Sequence, residues 1–242
     1  MSTYVYGITR NGHPLRVTDR KGVGPDPAPL RVVSGSRLAA VVSDAPDDLR
    51  PKRRDLEAHE AVLEALIADG AVLPMRFGAL ASDDASVERE LDERADWYGE
   101  RLDGLDGRRE VNVKAFHHEQ AVLSELLRTD PSLRESNEAL RGGIGDHHTR
   151  IDFGERVLNA LEGIRTRDAG QLLAVLSPYA ADVFQGPPVD GGFLNVSFLV
   201  DADKADDLRA AAQELGRRAA DVLELRVSEP LPPYSFVTPA EA

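Results

Sequence analysis

The sequence predicts an α+β protein with two domains: a small mixed sheet packed with helices, followed by a ferredoxin-like domain. Short strand-like runs alternate with amphipathic helical stretches along the 242 residues. Residues 109–229 follow the order strand, helices, strand, strand, helix, strand, which is the order of a ferredoxin-like unit. We therefore predict an N-terminal domain over 1–110 and a C-terminal domain over 111–242, which ends in a proline-rich tail.

Local signals place the elements of the first domain. A Gly-containing connection from Ser34 to Arg37 joins two apolar runs, which is typical of an antiparallel hairpin. Apolar residues recur at helical spacing between Pro51 and Gly70, which mark the two ends of a helix. In chain order we predict a strand over 3–9, a Gly/Pro-rich loop over 11–29, hairpin strands over 30–33 and 38–42, a helix over 51–70, a strand over 72–78, and a helix capped by Ser82 or Ser86.

The second domain begins with a strand over 109–116, where polar and apolar side chains alternate with the period of a half-buried strand. The chain is then helical to about Tyr179, with a break at 142–145. We expect the core stripe of these helices to use Ile151, Val157, Leu158, Leu161 and Ile164. The remaining predicted elements are strands over 182–185, 193–200 and 223–228, and a helix whose apolar face includes Leu208, Ala212 and Leu215.

Composition excludes several classes of function. The formal net charge is -13, and no basic stripe offsets it, so a nucleic-acid partner is not expected. No apolar run approaches the roughly 20 residues that a membrane span needs, and the N-terminus lacks a signal-peptide pattern, so we predict no membrane partner and a cytoplasmic location. Cysteine is absent, which removes disulfides and thiol chemistry.

Two adjacent histidine pairs, His117-His118 and His147-His148, are the first candidates for a metal site because imidazole is a common transition-metal ligand. Neighbouring side chains diverge on a helix or a strand, so neither pair binds one ion by itself. A site would need both pairs to meet, with Asp146 or Glu119. We favour surface histidines, and we predict no metal and no cofactor.

Two peptides place proline inside apolar, strand-like runs, where the missing N–H predicts an edge, a bulge or an irregular extension. They are Val72-Leu73-Pro74-Met75-Arg76-Phe77-Gly78 and Pro230-Leu231-Pro232-Pro233-Tyr234-Ser235-Phe236-Val237. Together with Tyr4-Val5-Tyr6-Gly7-Ile8 and with His59, they make the chain resemble the gas vesicle protein GvpF/GvpL family from its first strand to its last residues.

The resemblance implies a minor gas vesicle component that acts in vesicle assembly and is associated with gas vesicles. It implies two kinds of partner, the small hydrophobic major shell protein and other minor gas vesicle proteins. A shell subunit made of apolar strands would self-associate, and an assembly factor can hold it with a sheet edge and an apolar surface. We expect the two proline-marked peptides to shape such a surface or to lock the two domains.

The partner-binding residues predicted on this basis are Arg76, Phe77, Tyr234 and Phe236. Deep burial of the aromatic residues would make their role packing instead. Arg76 either forms an ion pair between helix and sheet or contacts a partner, and the sequence leaves both open.

His59 lies on the apolar face of its helix, where we favour a core or domain-interface histidine bonded to a backbone carbonyl. An alternative is an enzyme in which His59, Arg76 and Glu57 or Glu60 line a pocket between the domains. A further alternative is a ligand-binding regulatory module, because ferredoxin-like units commonly bind small molecules. Without a recognisable catalytic constellation, we predict that the protein is not an enzyme.

Overall fold

The structure, a computed structural model, describes residues 2–17 and 19–237. The described residues form two sheets whose strands pair antiparallel, together with seven α-helices. The strands are β1 Thr3–Arg10, β2 Arg31–Ser34, β3 Leu38–Asp44, β4 Leu73–Pro74, β5 Leu80–Ala81, β6 Arg108–His117, β7 Asp182–Gln185, β8 Gly192–Asp201 and β9 Leu223–Val227. The helices are α1 Arg53–Asp69, α2 Asp84–Glu93, α3 Ala95–Leu105, α4 Glu119–Thr129, α5 Pro131–Arg141, α6 His147–Leu176 and α7 Ala205–Arg218.

The described residues divide into two compact units. The first contains the chain up to Glu110 and the segment that returns from Pro230, and the second is Val111–Glu229. The proline-rich tail therefore packs with the first unit, whereas the sequence analysis placed it in the second domain. The reason is an antiparallel bridge in which Leu231 donates to the carbonyl of Glu110 (2.7 Å) and accepts from its N–H (3.0 Å). The domain boundaries themselves stay a prediction.

The first sheet has the strand order β2-β3-β1-β4, and β5 also pairs with β1. The hairpin of β2 and β3 confirms the prediction made from its turn. The helix α1 packs its apolar stripe on this sheet, around Tyr4, Tyr6 and Val41. The predicted serine cap was wrong, because Asp83 caps α2 by accepting from the N–H of Ser86.

The second sheet has the strand order β7-β8-β6-β9. Its core combines alternate residues of β6 and β8 with the apolar faces of α6 and α7. The predicted core stripe of α6 was wrong in part, because Ile151 and Leu158 are 45% and 67% exposed. The helix reaches this core only with its last turns, at Leu172 and Leu176, while Val157, Leu161 and Ile164 are half-buried outside it.

Candidate functional site

The first proline-marked peptide forms an interrupted edge of the first sheet. Leu73–Pro74 and Leu80–Ala81 both pair with β1, and of the five residues between them only the first and the last, Met75 and Ala79, keep a backbone hydrogen bond to it. We call residues 75–79 the edge loop. Pro74 is tolerated because the ladder bond beside it comes from Met75, whose N–H donates to the carbonyl of Tyr6 (2.9 Å). The predicted continuous strand over 72–78 is therefore wrong, and the predicted irregular edge is confirmed.

A directed chain of hydrogen bonds holds the edge loop. The His59 Nε2 lies 3.0 Å from the Met75 carbonyl oxygen, which can only accept, so Nε2 carries the hydrogen. The Nδ1 then accepts from the Tyr4 hydroxyl at 2.8 Å. The Tyr4 oxygen in turn accepts from the N–H of Gly78 at 3.3 Å. Two side chains from β1 and α1 thus fix both ends of the loop.

Burial keeps the two side chains of this hydrogen-bond chain neutral. Tyr4 is fully buried and His59 is 3% exposed. Burial lowers the pKa of His59, and the hydrogen bond to Met75 opposes that shift. Burial also raises the pKa of Tyr4. The predicted core histidine bonded to a backbone carbonyl is therefore confirmed, and its ring also contacts Tyr6 and Phe77 at centroid distances of 5.6 and 5.9 Å.

The edge loop holds its aromatic residue inward and its cation outward. Phe77 is half-buried against the core of the first unit, and Gly78 turns the chain with a φ of 90°. Arg76 is exposed and forms no ion pair with any residue in 2–17 or 19–237. Leu80, just beyond the loop, is 54% exposed. The edge loop therefore carries a guanidinium without an ion pair among the described residues, and an exposed apolar side chain follows it in the chain.

The second proline-marked peptide packs on the same core. Tyr234 and Phe77 pack against the same apolar cluster, and Phe236 is only 8% exposed. The buried carboxylate of Glu110 anchors the turn, since its two oxygens accept from the N–H and the hydroxyl of Ser235, each at 2.8 Å. Burial points to a packing role for Phe236, while the partner-binding role of the four predicted residues stays a prediction.

The residues of the enzyme alternative do not come together. Both ring nitrogens of His59 are occupied, and the Glu57 carboxylate accepts from Arg53 at 2.6 Å. No hydrogen bond or ion pair joins His59 to Arg76 or Glu60 in the described part of the chain.

The histidine pairs are also separate. His117 bonds to Asp168 (3.0 Å) and stacks on Phe193, while His148 lies 3.7 Å from Asp152. Within residues 2–17 and 19–237, no three or more His, Asp or Glu side chains are grouped to bind a metal.

Comparison with known proteins identifies the family. The profile of the family described as "Gas vesicle synthesis protein GvpL/GvpF" matches residues 2–238. The chain belongs to this GvpL/GvpF family. A gas vesicle protein F from Streptomyces sp. (strain CB03234) is 48% identical over 98% of this chain and 100% of its own length. A gas vesicle protein L from the same organism is 28% identical over 98% of this chain and 93% of its own length.

Solved structures of the GvpL/GvpF family share the fold. The crystal structure of GvpF from Anabaena sp. PCC7120 superposes with a TM-score of 0.83 over 99% of both chains, at 22% identity. That of GvpF from Microcystis aeruginosa gives 0.78 at 24% identity, over 98% of this chain and 99% of the other. These likenesses support the mixed α+β fold, and membership of the family supports a role in gas vesicles. No helix in the described residues combines the length and the apolar character that a membrane span requires.

Sequence reasoning identified His59, Arg76 and Phe77 but missed the residues that fix them. The signal that points to Tyr4 is its residue type, because a tyrosine in a buried strand needs a hydrogen-bond partner for its hydroxyl. Glu110 gave no local signal, because its partner Ser235 lies 125 residues away.

Proposed function

We propose that this member of the GvpL/GvpF family acts in gas vesicle assembly by binding the small apolar shell protein before it joins the vesicle. It would work as a chaperone or nucleation factor alongside other minor gas vesicle proteins, would transform no substrate and would be associated with gas vesicles. The observation that carries the proposal is the fixed edge loop, which contains the free cation of Arg76 and is followed directly in the chain by the exposed Leu80.

The physical reason is the tendency of the apolar shell protein to aggregate. Apolar strands with open edges pair with one another and aggregate unless they are covered. A rigid site binds such a chain at a lower entropic cost than a mobile one, because the hydrogen bonds of Tyr4 and His59 have already ordered the loop. Arg76 would bind a carboxylate or a backbone carbonyl of the partner, and Leu80 would cover an apolar side chain. Phe77, Tyr234 and Phe236 would support this surface from below.

We also propose that the second unit is ferredoxin-like. Its chain order of strand, helices, two strands, helix and strand supports this, as does the placement of β6 and β8 at the centre of the sheet with β9 and β7 outside them.

The test is co-purification of the tagged protein with the shell protein. We expect Arg76→Glu to reduce the recovered shell protein, because it replaces the free cation by an anion. Arg150→Glu is the matched control, since Arg150 is also exposed and forms no ion pair with a described residue. Equal recovery with the two variants would refute the role of Arg76, and no recovery with the unchanged protein would refute the proposed function.

A further inference from the structure

The two sheets differ in how their edges are protected against a further strand. At the interrupted edge of the first sheet, β4 and β5 are two residues each and the edge loop separates them. In the second sheet, the register turns the N–H of Val183 in β7 away from β8. That N–H donates a hydrogen bond to the Asp182 carboxylate at 2.8 Å. Along β9, Glu224 and Arg226 pair at 2.7 Å and place charge on the edge. Interruption, capping and charge are the usual ways to prevent strand addition.

At Val32 and Ser34 the edge at β2 is neither interrupted nor capped by the side chain of a described residue. The turn bond from the N–H of Gly35 to the carbonyl of Leu38 (2.9 Å) fixes which residues bond to β3. By the alternation of an antiparallel ladder, Val33 bonds inward, whereas Val32 and Ser34 turn their N–H and C=O groups outward. No described residue outside β3 hydrogen-bonds to the backbone of these two residues.

The side chains along β2 leave the outward groups accessible. The cation that would ordinarily protect such an edge, Arg31, is held by Asp44 at 2.9 Å and by Asp84 at 2.8 Å. The side chain of Val32 is apolar and 41% exposed, and Ser34 is small, exposed and uncharged. At Val32 and Ser34 an incoming strand therefore meets free backbone groups and an apolar side chain, while the charge of Arg31 lies at the start of β2 and is paired with two carboxylates.

We propose that the β2 edge binds one extended apolar strand of the shell protein by strand addition, with hydrogen bonds at Val32 and Ser34. This inference rests on the proposed function and adds a second contact with the partner, at the edge of the first sheet opposite to the edge loop. The occupant is an extended strand because outward N–H and C=O groups at alternate residues match another strand and not a helix. It is apolar because the exposed side chain at the edge is a valine.

A proline substitution tests the inference with little change to the fold. Val32→Pro removes only the outward N–H and leaves the inward bonds of β2, since edge strands tolerate proline at such positions. Val32→Thr is the control, because it keeps the N–H and the β-branched shape. With purified shell protein as the probe, we expect Val32→Pro to weaken binding about tenfold and Val32→Thr to change it less than about twofold.

Amide hydrogen exchange on the unchanged protein gives a second measurement that needs no variant. The N–H groups of Val32 and Ser34 face solvent in the free protein, so they exchange fast, and we expect their exchange to slow at least about tenfold in the complex. Slower amide exchange at both residues, together with weaker binding of the shell protein by the Val32→Pro variant, would support the inference.

Three results would overturn it. If the shell protein binds but the Val32 and Ser34 amides stay unprotected and Val32→Pro binds normally, the contact lies elsewhere while the proposed function stands. If the amides become protected only as the protein alone is concentrated, the occupant is a second copy of this chain. If the shell protein does not bind at all, the proposed function fails and this inference fails with it.

Discussion

Replacing Tyr4 by phenylalanine tests the hydrogen-bond chain that holds the edge loop. The change removes one oxygen from a fully buried ring and leaves Nδ1 of His59 without its donor. An unsatisfied acceptor in a buried site costs about 1–3 kcal/mol. The N–H of Gly78 loses its acceptor as well, but Gly78 is exposed and water can replace the bond. We therefore expect Tyr4→Phe to lower the free energy of unfolding by about 1–3 kcal/mol.

Urea unfolding followed by tryptophan fluorescence measures this change in the free energy of unfolding for the first structural unit. The chain has a single tryptophan, Trp97, which lies in α3 of the first unit. Its signal reports that unit even if the second one unfolds separately. Tyr98→Phe is the matched control, because the Tyr98 hydroxyl donates at 3.0 Å to Glu90, whose side chain is 44% exposed and can be hydrated. The control should lose less than about 1 kcal/mol. If Tyr4→Phe and Tyr98→Phe lower the free energy of unfolding equally, the special role of the buried Tyr4 hydroxyl is refuted.

Two further predictions use the same fluorescence assay. Because burial holds the pKa of His59 below its ordinary value of 6.5, the unfolded chain binds more protons below that pH. The contribution of His59 to the free energy of unfolding should stay level above about pH 6.5 and fall by up to about 1.4 kcal/mol per pH unit below it, and His13, whose pKa burial also lowers, adds a fall of the same sign. His59→Gln should make that fall shallower, and an unchanged slope would contradict the assignment. Gly7→Ala should destabilise the first unit by about 1–3 kcal/mol, because a β-carbon there would lie 2.8 Å from a Val72 methyl and 3.2 Å from the Leu73 carbonyl. Gly104→Ala, with open space at its β-carbon, is the control.

Local signals predicted the parts of the fold that depend on neighbouring residues. The hairpin of β2 and β3 followed from its turn, and α1 and α7 followed from the spacing of their apolar residues. Where two local signals competed, the choice failed, as at α2, where Asp83 caps the helix in place of the serines on either side.

Long-range contacts decided the rest, and no local pattern contains them. The proline in Val72–Gly78 indicated an irregular edge, but the five-residue loop depends on Tyr4, which lies 74 residues before Gly78. The tail was assigned to the second domain by chain order, whereas Glu110 and Leu231 pair it with the first unit. Periodicity predicted an apolar face for α6 but not how far the sheet beneath it extends, so Leu158 was assigned to a core that it does not reach.

The two edges of the first sheet differ in their capacity to accept a further strand. The edge loop and Pro74 interrupt the ladder on the β4 side, while β2 on the opposite side keeps outward N–H and C=O groups. A sheet with two open edges can be extended at both of them, whereas a sheet with one open edge can be extended on one side only. The partner strand would then offer its own free edge to the next shell subunit.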